Sequence, residues 1–163
     1  MEQSSKTLTF VVPAYNMETY LERCVESLLS ATDNSDIEVL IVDDGSSDGT
    51  PELADMYERR WPGNVRAIHQ VNKGHGGAVN TGIANATGMY VKVVDADDWV
   101  DMPSIDTLMG TLRVQRVATD PVDMIVTNYV YDKVGKRVKH TVNFRHAMAT
   151  NTVLGWDDLG CFG

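Results

Sequence analysis

The chain has 163 residues, enough for one domain with a sizeable core. Its 43% hydrophobic and 23% charged residues are ordinary for a soluble globular protein, and its formal charge of −9 excludes nucleic acid as a main partner, because phosphate binding needs a basic surface. A phosphorylated small molecule stays open, since a divalent cation can supply positive charge that the protein lacks. The β-branched run at residues 8–12 predicts a first strand, stopped by Pro13. Asn16 is a good N-cap type for a helix whose buried face is Leu21, Cys24, Val25, Leu28 and Leu29. Residues 37–42, nearly all apolar, predict a second strand buried on both faces. After the loop at 43–49, Thr50 and Pro51 offer a cap and an N1 proline for the next helix. Residues 65–71 predict a third strand, and residues 74–86 a small-residue helix with Ala78, Val79, Gly82, Ile83 and Ala86 on one side. Residues 89–94 predict a fourth strand, apolar except for Lys92. A helix from Pro103 follows, using Ile105, Leu108, Met109, Leu112 and Val117. Residues 124–131 predict a fifth strand, and residues 134–144 alternate around Gly135 and Lys136 as a hairpin would.

Strand and helix alternating at this spacing predict an α/β domain with a mostly parallel sheet, and such sheets bind ligands at the carboxyl ends of their strands. Four places there gather polar and glycine residues: 13–16, 43–48, 72–77 and 95–98. The sharpest is Asp95-Ala96-Asp97-Asp98, where two carboxylates one residue apart leave what reads as a buried strand. Such a pair can converge on a hard cation, which takes one or two carboxylates and fills its shell with water and phosphate. A solvated acidic turn is the plain alternative. Asp43 and Asp44, ending the second strand, can accept hydrogen bonds from a nucleobase imide or a ribose, although turn and capping chemistry explains Ser46 to Asp48 equally well. Asn72, Lys73 and Gly74 open the third helix, whose backbone N–H groups favour an anion. There Gly76 and Gly77 also read as a means of close helix–sheet packing. His75 is a lone histidine and reads as structural or surface. Tyr15 suits stacking on a base or packing in the core, and Trp99 suits walling a sugar pocket or anchoring the helix after it. Cys24 and Cys161 form no metal or redox spacing, and Cys24 reads as a buried thiol. The first seven residues are polar and the apolar runs are short, so no signal peptide or membrane span is expected. A cytoplasmic setting, with peripheral membrane attachment open, is the expectation.

In order and spacing, the segments FVVPAYN (10–16), EVLIVDDGSSDGT (38–50), NKG (72–74), NTG (80–82) and DADD (95–98) resemble family 2 of the glycosyltransferases over about residues 8–105. The resemblance implies a Rossmann-like GT-A fold that binds a nucleotide-sugar donor, often a uridine diphosphate sugar, with Mn²⁺ or Mg²⁺. It implies a donor site bordered by Pro13, Ala14, Tyr15, Asn16, Asp43 and Asp44 near the base. Asn72, Lys73, Gly74, Gly77 and Asn80 would line the rest of that site. Asp95, Ala96 and Asp97 would lie at the ribose and metal, with Asp97 the direct ligand and Asp95 beside it. Many relatives carry an arginine where this chain has Val79. The resemblance also places the catalytic base and the acceptor-binding half after Gly163, so a chain truncated at its C-terminus is expected, forming one donor-binding domain. Asp157 and Asp158 do not match the context expected of the base. The implied reaction is inverting transfer to an acceptor hydroxyl, on a glycan, a lipid-linked sugar or another alcohol, in glycan or polysaccharide synthesis. Rival readings are a response-regulator receiver with Asp95 or Asp97 as phosphoacceptor, a phosphatase using Asp-x-Asp, and a donor-binding module without activity. Lys133 fits the receiver's lysine poorly, and the phosphatase motif belongs on a first strand.

Overall fold

The computed structural model describes residues 6–132, 139–146, 148 and 151–155. The chain forms two compact units, Met1–Ala118 and Thr119–Gly163. In the first, strands and helices alternate: β1 (Leu8–Ala14), α1 (Glu18–Leu28), β2 (Ile37–Asp43), α2 (Thr50–Arg60), β3 (Val65–His69), α3 (Gly74–Asn85), β4 (Tyr90–Val93) and α4 (Met102–Arg116). All four strands are parallel, in the order β3-β2-β1-β4. This is the α/β layered sheet expected from the alternation.

β1 and β2 are the central strands, and every residue of both is buried. That is why they read as unbroken apolar runs. Glu38 and the terminal Asp43 are the charged exceptions in β2, and the charge of Glu38 is compensated. Its carboxylate accepts from Thr9 Oγ1 at 2.7 Å, from the Thr87 backbone N–H at 2.9 Å and from Arg66 Nη1 at 3.1 Å. A buried carboxylate is tolerable only when its lone pairs are filled in this way.

Pro13 does not stop β1; it lies inside it, opposite Val42. The bonds of a sheet strand alternate sides. The Val11 carbonyl accepts from Val94 on the β4 side, and the Ala14 carbonyl accepts from Asp44 on the β2 side. Pro13 therefore faces the β4 side, where pairing ends at Val11 opposite Val93. Its missing N–H costs no ladder bond there.

β4 is shorter than expected and lies at the sheet edge. Val91 and Val93 are exposed, so the strand is not buried on both faces. On α1 the expected face, Leu21, Cys24, Val25 and Leu28, is buried. On α4 Ile105, Met109 and Leu112 are buried, but Val117 caps the helix and is exposed. The close approach of α3 to the sheet comes from Gly82 rather than from Gly76 or Gly77. A Cβ at Gly82 would lie 2.2 Å from Val11 Cγ1, whereas one at Gly76 would meet nothing. Ile83, placed by periodicity on the inner side, is half exposed, because the helix rests on the Ala78 and Gly82 stripe.

The second unit contains β5 (Tyr129–Tyr131) and β6 (His140–Val142), paired antiparallel in a two-stranded sheet of their own. Residues 124–128 are not strand, so the expected fifth strand shrinks to three residues and does not join the parallel sheet. Its residues are exposed, and the Tyr129 and Tyr131 rings meet edge-on at 5.4 Å. The expected turn residues Gly135 and Lys136 lie outside the described residues, as do Lys133, Asp157, Asp158 and Cys161. Among the described residues no helix is long and apolar enough to cross a membrane.

Candidate functional site

The carboxyl ends of β1, β2 and β4 and the start of α3 enclose a cleft of about 470 Å³. Sheet ends of this kind are where α/β folds bind ligands. Two loops building the cleft are fastened to each other. Asn16 adopts φ of 53°, a conformation that asparagine tolerates. It is not the cap of α1, which is Met17. Instead its backbone N–H donates to Ser46 Oγ at 3.0 Å, and its Oδ1 accepts from the Ser47 N–H at 2.9 Å. The open N–H groups at the start of α1 are satisfied from the same distant loop. Met17 N–H donates to Thr50 Oγ1 at 2.8 Å and Glu18 N–H to Asp48 Oδ2 at 3.1 Å. Thr50 thus serves α1, while its own N–H donates to Asp48 Oδ1.

The Asp43-Asp44 turn is held with equal care. Gly45, at φ of 74°, lets the turn approach the next loop: a Cβ there would sit 3.0 Å from the Asn72 nitrogen. Asp43 is buried behind the cleft. Its Oδ1 accepts from the Ser46 N–H at 3.0 Å, and its Oδ2 meets His69 Nδ1 at 3.0 Å. His69 Nε2 reaches Asp55 at 3.1 Å, so the imidazole links two carboxylates. The bond to Asp43 is the main reason its pKa is raised, against the opposing effect of burial, and Asp55 adds to it.

Asp44 is only 2% exposed yet lines the cleft. Its Oδ1 accepts from Gln70 Nε2 at 2.6 Å and from the Lys73 backbone N–H at 2.8 Å. Burial raises its pKa, but the donors of Gln70, Lys73 and Gly74 and the Lys73 charge outweigh that, leaving it below the usual carboxylate value. Asp44 is therefore an ionised acceptor in the cleft wall.

Across the cleft, Asp95 and Asp97 leave β4 on one turn, and both are exposed. Asp95 Oδ1 meets His75 Nε2 at 2.8 Å, and the Asp95 carbonyl accepts from the Asp98 N–H at 2.9 Å. Beneath this turn lies the Cys24 thiol, buried and 3.7 Å from the Asp95 carbonyl. Burial, with the charges of Asp98, Asp97 and Asp95, pushes that thiol up to about 12, so it is no nucleophile. Trp99 carries the Arg23 guanidinium 3.3 Å from its ring centroid and does not line the cleft.

Of the residues expected at a donor site, Pro13, Ala14, Tyr15, Asp44, Asn72, Gly74, Asp95, Ala96 and Asp97 line this cleft. Five do not. Asn16 and Asp43 lock the loops, Lys73 supplies its backbone N–H to Asp44, and Gly77 packs where a Cβ would meet Lys73 Cβ at 2.5 Å. Asn80 is exposed on α3. Sequence reasoning passed over Met17, Ala78 and His75, which also line the cleft. The signal for His75 was its place in the first turn of α3, facing the acidic turn after β4.

The profile of glycosyl transferase family 2 matches residues 9–159. The chain belongs to that family. It is 40% identical over 131 residues to glycosyltransferase GlyG of Streptococcus pneumoniae serotype 4, covering 79% of this chain and 41% of GlyG. Among solved structures it is similar to TarS of S. aureus in complex with UDP-GlcNAc, with a TM-score of 0.60 and 26% identity over 68% of this chain and 32% of that one. It is also similar to the mannosyltransferase PcManGT of Pyrobaculum calidifontis in complex with GDP-Man and Mn²⁺. There the TM-score is 0.58 and the identity 27%, over 68% of this chain and 32% of that one. This family 2 chain thus spans about a third to two fifths of the length of these relatives. Membership removes the receiver and phosphatase readings.

Proposed function

We propose that this chain binds the nucleotide-sugar donor, a uridine diphosphate sugar, for metal-dependent transfer of a glycosyl group to an acceptor hydroxyl. The observation that carries the reading is the pairing of an ionised, buried Asp44 in one wall of the cleft with Asp95 and Asp97 in the other. The first suits an N–H donor of a nucleobase, and the second suits the cation that accompanies a diphosphate. Neighbours in complex with UDP-GlcNAc and with GDP-Man and Mn²⁺ support it.

The donor set fits a hard cation. Asp95 and Asp97 offer oxygen ligands from one turn, and among the described residues no group of three or more His, Cys, Asp or Glu could hold a metal unaided. Mg²⁺ and Mn²⁺ are commonly held by one or two carboxylates, with water and substrate phosphate completing the shell. When bound, such a cation offsets diphosphate charge and makes the nucleotide a better leaving group. The chain's own residues do the rest of the binding. Asp44 accepts from the base, and half-exposed Tyr15, which also lines the cleft, offers a ring face for stacking. In an inverting transfer the acceptor oxygen attacks the anomeric carbon as a base takes its proton. We assign that base to no described residue.

Asp97→Ala tests the reading. Mn²⁺ titration followed by electron paramagnetic resonance, with uridine diphosphate present, should show loss of bound metal in a variant with an unchanged circular dichroism spectrum. Equal Mn²⁺ binding by variant and wild type would remove Asp97 from the metal site.

A further inference from the structure

Gln70 and Thr81 do not line the cleft, yet both are wired to Asp44. Thr81 Oγ1 donates to Gln70 Oε1 at 2.6 Å, and Gln70 Nε2 donates to Asp44 Oδ1 at 2.6 Å. The relay fixes the amide orientation. The ionised carboxylate only accepts, so the Gln70 NH₂ group turns towards it, and the Thr81 hydroxyl donates to the amide oxygen on the other side. The same Oδ1 accepts the Lys73 backbone N–H at 2.8 Å. Oδ1 of Asp44 therefore carries two donors, and with the Gly74 N–H also beside the carboxylate, Oδ2 has room for one ligand donor rather than two.

We infer that Gln70 and Thr81 are positioning residues that present a single oxygen of Asp44 to the nucleobase, and that this single acceptor selects a uracil imide over guanine. The inference rests on the donor-site reading above. Uracil offers one N–H between two carbonyls, and one carboxylate oxygen satisfies it. Guanine offers N1–H and an N2 amino group side by side, and meets a carboxylate best through both oxygens. Here Oδ1 is already filled, so one guanine donor would be left unpaired against the cleft wall. An unpaired donor of that kind lowers affinity by about tenfold or more.

The experiment is calorimetric titration of the full chain with uridine diphosphate, guanosine diphosphate and inorganic pyrophosphate, each with Mn²⁺. The wild type should bind the uridine nucleotide at least about tenfold more tightly than the guanosine one. Thr81→Val keeps the shape and removes the hydroxyl, and with it the bond that holds the Gln70 amide against Asp44. Uridine affinity should then fall about tenfold with pyrophosphate affinity unchanged, and Thr81→Ser should restore it. Gln70→Met reads the relay from its other end: the uridine-to-guanosine ratio should shrink because Oδ1 is released. A ratio unchanged in whichever of Thr81→Val and Gln70→Met retains the wild-type thermal midpoint would overturn the inference. So would guanosine diphosphate binding as tightly as uridine diphosphate to the wild type. If the folded wild type binds neither nucleotide, the donor-site reading itself fails and the inference goes with it.

Discussion

Replacing Gly82 with alanine should destabilise the first unit, although alanine is the better helix former. The added methyl would stand 2.2 Å from Val11 Cγ1, 3.0 Å from Cγ2 and 3.1 Å from Cβ. Val11 is fully buried in the central strand, so its side chain has nowhere to turn. The helix must therefore back away from the sheet by more than an ångström to recover ordinary contact distances. Overpacking of a filled core costs about 1–3 kcal/mol, and so tight a contact belongs at the upper end. The gain from Gly to Ala within a helix is about 1 kcal/mol. The net is a loss of about 2 kcal/mol, or a fall in Tm of roughly 6–10 °C for a unit of this size. Thermal unfolding followed by far-ultraviolet circular dichroism measures it directly. Val11→Ala should remove most of the penalty in a double-mutant cycle, because the three nearest atoms to the added methyl all belong to Val11. A Tm equal to or above the wild type would refute the packing argument and the claim that α3 is seated by this glycine.

Two further predictions follow from the site. His69 titrates above its ordinary value near 6.5 in the folded chain, so its bonds to Asp43 and Asp55 stabilise fully below that pH and fade as pH rises through the folded value. The Tm difference between wild type and His69→Ala should shrink as the pH rises above the ordinary histidine value of about 6.5; a difference that grows would reverse the assignment. Asp44→Asn should weaken uridine diphosphate by about tenfold or more while leaving pyrophosphate unchanged. Equal loss for both ligands in calorimetry would separate Asp44 from base recognition.

Much of the layered sheet was legible because its strongest signals are local. The apolar runs of β1 and β2 and the three- and four-residue spacing on α1 each describe one element's own burial. The four polar strand ends were legible for a related reason, since parallel order brings successive strand ends to one side. What escaped depends on partners far along the chain. Asn16 reads as a cap until Ser46 and Ser47 are seen against it, and Thr50 reads as the cap of α2 although it satisfies Met17. Pro13 reads as a stop because the sequence does not say that β4 pairing ends two residues earlier. Gly76 and Gly77 resemble packing glycines more than Gly82 does, yet of these three it is Gly82 that meets the central strand. The β-branched residues of 124–131 suggest a core strand, but strand propensity reports a fit to a pleated surface and not which sheet is joined. His75 read as bland because its partner Asp95 lies 20 residues on, at the end of another strand.

The most direct test of the central claim is calorimetric titration of the chain with uridine diphosphate, first with Mn²⁺ and then with excess chelator. The account predicts binding in the micromolar range that disappears when the metal is removed. A folded chain that binds neither uridine nor guanosine diphosphate with Mn²⁺ present would contradict it.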